Sequence, residues 1–99
     1  MGIENNEVIS NFLSNGAEVV LFPNPNNGQG VNLQINGMDG DVLVRVSDAS
    51  GKLVHTERYV VEGLLNTTLN FDQTLSSGLY QVELINGGNR DAIKMSVVR

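Results

Sequence analysis

From Ala17 onward, apolar and polar residues alternate with a period of two, in short runs separated by clusters of Gly, Asn, Asp and Ser. Successive side chains of a strand point to opposite faces, so each such run buries one face and wets the other. The runs recur at roughly the 8 to 12 residue spacing of an all-β sandwich or barrel. Strands are expected over about 18–22, 31–36, 41–48, 52–60, 65–71, 79–85 and 91–98. Val31, Leu33 and Ile35 would face inward, as would Val42, Val44 and Val46, then Tyr80, Val82 and Leu84, and finally Ile93, Met95 and Val97. Turns are expected at Gly37-Met38-Asp39-Gly40, at Asp48-Ala49-Ser50-Gly51, at Glu62-Gly63 and at Asn86-Gly87-Gly88-Asn89. At the second of these Asp48 would cap the turn through its carboxylate, and Gly51 would supply a positive φ. Connections this short join antiparallel neighbours and cannot cross over between parallel ones. The fold class that follows is all-β: an immunoglobulin-like antiparallel β-sandwich of about seven strands in two sheets.

Both prolines of the chain fall in one segment, Leu21-Phe22-Pro23-Asn24-Pro25-Asn26-Asn27-Gly28. Each fixes its own φ and drives the residue before it to extended geometry, so the segment is expected to be straight and stiff. Asn26, Asn27 and Gly28 tolerate positive φ or bond their own backbone, so it should end in a tight reversal. Neither proline can donate to a ladder, which places the segment at a sheet edge or just past a strand end.

The 99 residues are enough for one domain with a single core. Without cysteine, neither disulfides nor thiolate metal sites are available, and hydrophobic packing must hold the fold. A formal net charge of -5, with six Lys and Arg spread along the chain, argues against nucleic acid and anionic lipid as partners. No apolar run is long enough to span a bilayer as a helix. Met1-Gly2 and the polar residues after them read as the start of an expressed fragment of a longer protein. Residues 1–16 are expected to be a weakly structured linker, with Val8, Ile9, Phe12 and Leu13 forming either a docked helical turn or a short added strand. Residues 17–99 would be the folded domain.

Few residues offer chemistry. His55 is the only histidine, so no Ser, His and Asp triad can be assembled without it, and its neighbours Val54 and Thr56 place it on a strand face, where a structural or surface role is expected. Asp39-Gly40-Asp41 lacks the acid spacing of a calcium loop, which needs six or more oxygens. Gly28-Gln29-Gly30 has no following helix to make a phosphate cradle. No enzymatic activity, metal or cofactor is expected. The amide-rich face of the 31–36 run could bond a polar ligand, but the chain has no Trp, and Tyr80 falls on an inward face. An adhesive or carbohydrate-binding accessory module is the alternative reading that these features leave open.

Four groups of residues, in order, resemble the type A C-terminal sorting domain of the type IX secretion system of Bacteroidetes. Phe22-Pro23-Asn24-Pro25 with Gly28 is similar to that family's opening motif. Val44, Val46, Asp48, Gly51, Lys52 and Val54 are similar to its middle motif of a strand, an Asp, a turn Gly and a basic residue. Leu75, Gly78, Tyr80 and Val82 are similar to its third motif, and Lys94 with Val97 and Val98 to its closing strand, beyond which Arg99 ends the sequence. Met95-Ser96 departs from the more apolar pair usual after the Lys. The resemblance implies a non-catalytic export signal that takes a cargo through the outer-membrane translocon. It further implies an outer-membrane shuttle protein and a sortase-like surface protease as partners, with removal of the domain and surface attachment or release of the cargo. A last strand at a sheet edge would have free backbone groups able to add a strand to a receptor, or to a second copy of the chain.

Overall fold

The structure, a computed structural model, describes residues 10–13 and 16–99. Its elements are β1 (Ser10–Phe12), β2 (Glu18–Phe22), β3 (Gly30–Asp48), β4 (Leu53–Asn70), β5 (Gly78–Asn86) and β6 (Asn89–Val97). All pairings between these strands are antiparallel. They form one six-stranded sheet in the order β1-β2-β3-β5-β6, with β4 paired to β3 off that path. Most of the expected linker lies outside the described residues; within it, Ser10–Phe12 adds a short strand to β2.

The seven separate strands expected are corrected at two places. The runs 31–36 and 41–48 belong to the single 19-residue β3, and the runs 52–60 and 65–71 to the 18-residue β4. Gly37-Met38-Asp39-Gly40 is no turn. It is a bulge in β3, where the register against β4 slips between Asn36 and Met38. Glu62 and Gly63 stay within β4, paired with Asp39 and Met38. Gly37, Gly40 and Gly63 all have positive φ, between 82° and 95°, so the long hairpin bends sharply without breaking its ladder. Met38 and Val61 carry the buried face through the bend, at 3% and 1% exposed, which is why pairing continues there.

β4 occupies one edge of β3 along nearly its whole length. β2 and β5 therefore share the other edge, β2 against 32–36 and β5 against 43–48. In the gap between them, Asn86 donates Nδ2 to the carbonyls of Asp39 and Asp41, each at 3.0 Å. The bend turns the two halves of the hairpin toward each other around one core, in which Leu33, Ile35, Val42, Val44, Leu69, Leu84 and Met95 are fully buried. Each contributes about 1.5–3 kcal/mol by leaving water. The inward sets read from the alternation are the buried ones throughout β3, β5 and β6. A parallel bridge between Asn26 and Val97 joins the segment after β2 to the end of β6, so the fold is a nearly closed barrel of antiparallel strands.

Candidate recognition surface

β2 ends at Phe22 because Pro23 follows with no N–H to continue its ladder. The segment beyond it is a bend and not the straight piece expected, and both X-Pro peptide bonds are cis. It runs alongside the end of β6. Asn24 donates Nδ2 to the carbonyl of Lys94 (3.2 Å) and accepts the N–H of Ser96 at Oδ1 (2.9 Å). One side-chain amide thus bonds the strand as a neighbouring strand's backbone would. Asn26 continues the pairing with its own backbone, its N–H donating to the carbonyl of Ser96 (3.0 Å) and its carbonyl accepting from the N–H of Val98 (2.9 Å). The last strand therefore does not present a free edge from Lys94 to Val98. The outward groups expected to add a strand to a receptor are already occupied.

Asn26 is also the pivot on which the loop reverses. It is 5% exposed, and its Oδ1 accepts the N–H of Gly28 at 2.8 Å. Asn27 repeats the arrangement at the surface, accepting the N–H of Gln29 at 3.0 Å. Gly28 then passes close to the loop before β5, accepting the N–H of Leu75 at its carbonyl (2.9 Å). A Cβ at Gly28 would lie 2.5 Å from the carbonyl oxygen of Leu75, and the residue has a φ of +86°. Only glycine fits both demands.

Leu75 is buried, at 8% exposed. Close by, Gly78 pairs with Val97, the hydroxyl of Ser77 accepts the N–H of Arg99 (2.9 Å), and the Tyr80 hydroxyl donates to the carbonyl of Ser76 (2.7 Å). The hairpin after β3 meets the same region, since Asp48 pairs with Tyr80. Its turn is built as the sequence suggests. Asp48 Oδ1 accepts from the N–H groups of Ser50 and Lys52, both at 2.9 Å, and from the Ser50 hydroxyl at 2.6 Å. Gly51 has a φ of +93°. The Ser50 hydroxyl bond, followed by the Lys52 backbone bond, holds the Asp48 carboxyl below its ordinary range. An open cavity of about 330 Å³ lies between Asp48, Gly51, Leu79, Tyr80, Gln81 and Lys94.

The structure thus gathers Pro23, Asn24, Pro25, Gly28, Gly78, Val97, Val98 and Arg99 around the juncture of loop and last strand. Asp48, Gly51, Lys52 and Tyr80 lie on the adjoining side, and Lys94 belongs to both, its carbonyl bonded by Asn24 while it lines the cavity beside Asp48 and Tyr80. Sequence reasoning missed Asn26 and Ser96, which carry the juncture. The turn chemistry of Asn26 toward Gly28 was legible, but its pairing with β6 is made by backbone groups that no residue type marks. Nothing in the residue type marks Ser96, which takes part through its backbone. His55 lies on a strand face as expected, edge-on to Phe71 with ring centroids 5.3 Å apart and Nε2 3.2 Å from Glu57 Oε1.

The class so defined is a small antiparallel β-barrel domain whose opening loop is clamped to its last strand. Its sequence matches the secretion system C-terminal sorting domain family over residues 20–99, and the chain belongs to that family. It is a C-terminal sorting domain of the type IX secretion system, an exported domain with a cell-surface or extracellular destination. No curated protein matches it. No helix among the described residues is long and apolar enough to cross a membrane.

Proposed function

We propose that the translocon and its outer-membrane shuttle protein read the folded juncture between the 22–28 loop and the 94–98 end of β6, and not a free strand. The observation that carries this is the pair of bonds from the Asn24 amide to Lys94 and Ser96. They hold an exposed surface of Pro23, Asn24, Pro25, Lys94 and Val98 in one shape, while the side chains beneath it, Asn26 and Val97, are buried. Such a surface exists only when the domain is folded, which would let the machinery distinguish a finished domain from an unfolded chain. The domain carries out no catalysis of its own in this reading, and a sortase-like protease acts on the cargo side of it. The two halves of the bent hairpin, one flanked by β2 and the other by β5, act as the two layers of a sandwich.

The test is a fusion of residues 1–99 to the C-terminus of a periplasm-exported fluorescent protein, in a host with and without a working type IX translocon. Surface or medium fluorescence that depends on the translocon is expected for the wild type. Asn24→Ala should lower export severalfold while the purified fusion stays folded by circular dichroism. Full export of a folded Asn24→Ala fusion would refute recognition at the juncture.

A further inference from the structure

We propose that two copies of the chain pair through the outer edge of β4, antiparallel about a two-fold axis at Val60, with Arg58 of each copy opposite Glu62 of the other. β4 is 18 residues long and pairs with β3 alone among the described strands. The Asp48 N–H donates to Lys52 and the Phe71 N–H to Gln29 at the two ends of the hairpin. Alternation along the ladder then turns the backbone groups of Thr56, Arg58, Val60, Glu62 and Leu64 away from β3. A long edge with open backbone groups is a template for another strand.

The side chains of these residues specify what that strand is. All five are exposed, and Val60 and Leu64 are two of the large apolar residues most open to solvent, at 70% and 60%. Pairing about Val60 sets Val60 against Val60, Arg58 against Glu62 twice over, and Leu64 against Thr56. On the other face Tyr59 meets Val61 and Glu57 meets Gly63, so no like charges come together. Shifting the axis one residue either way leaves Arg58 and Glu62 opposite uncharged residues. A shift of two sets Arg58 against Arg58, or Glu62 against Glu62. Within the chain, Glu62 stands directly opposite Asp39, an unfavourable neighbour on the exposed face that an incoming Arg58 offsets. The edge is complementary to itself in this one register, which makes a second copy the occupant. The pairing stands independently of the export route.

Sedimentation equilibrium of residues 1–99 tests it. The wild type is expected to dimerise reversibly, and Arg58→Glu and Glu62→Arg should each raise the dimer dissociation constant by about tenfold or more, since each turns two attractive cross-strand pairs into repulsive ones. The two variants mixed in equal amounts should recover dimers, because every pair in the mixed dimer joins opposite charges. The double variant R58E/E62R should dimerise like the wild type. Recovery on mixing also shows that both single variants fold. A wild type that stays monomeric near millimolar concentration, single variants that dimerise unchanged, or a mixture that fails to recover would each overturn the proposal.

Discussion

β6 and β4 both lie at margins of the sheet, and they are finished in opposite ways. At β6 the outward groups from Lys94 to Val98 are bonded by Asn24 and Asn26, and the strand is sealed by its own chain. At β4 the described residues supply no second strand for the outer edge, and only the charges of Arg58 and Glu62 restrain what binds there. An open edge invites association, and natural sheets cover it with loops or guard it with charge. This domain does the first at β6 and the second at β4. The consequence is a division of labour: a loop-covered strand keeps a fixed surface shape, whereas a charge-guarded strand remains available for pairing.

The comparison is broken most completely at Gly28. Gly28→Val should destabilise the fold by about 3 kcal/mol or more, because the new Cβ meets the Leu75 carbonyl and the backbone is held at positive φ. A urea titration would show a lowered midpoint, and a midpoint equal to the wild type would mean that the loop reseats without cost. Asn26→Leu comes next. It leaves the buried N–H of Gly28 without an acceptor, a loss of about 2 kcal/mol by the same titration.

Asn24→Ala sharpens the contrast between the edges and does not remove it. About 1 kcal/mol is expected, since the two lost bonds lie at the surface where water replaces them. Hydrogen exchange at the Ser96 amide should accelerate while the amides of β3 keep their protection. Equal exchange in variant and wild type would show that Asn24 does not cover the edge. The smallest effect belongs to the Asp48 hairpin, apart from both edges. Its carboxyl is held below the ordinary range when folded, so its contribution is present above the unfolded pKa and is lost as pH falls through the folded one. Asp48→Ala should therefore flatten the acid side of the stability–pH curve, and an unchanged curve would assign that slope to other carboxylates.

Much of the fold was legible in the residues. The inward sets of β3, β5 and β6, the Asp48 turn, the Gly87-Gly88 turn and the end of β2 at Pro23 all rest on local rules: alternation, turn chemistry and the missing proline donor. The Gly37 to Gly40 segment misled for a physical reason. Glycines that allow a chain to reverse also allow a paired strand to bulge, and only the partner strand, with Val61 buried beside Met38, selects between the two. Asn26 was read as a turn residue. Its burial accompanies pairing with Val97 at the far end of the chain, which no local pattern encodes.

By itself the sequence determined the strand periodicity, the faces that go inward, the family and therefore the export role, because each depends on residue types at short spacing. Only the tertiary structure decided that four runs make two long strands, that the first loop closes over the last strand, and that β4 is left open. Those outcomes depend on backbone groups some 70 residues apart, such as those of Asn26 and Ser96, finding one another. Backbone donors and acceptors are the same at every residue but proline, so where they pair is set by the whole fold and not by the letters of the chain.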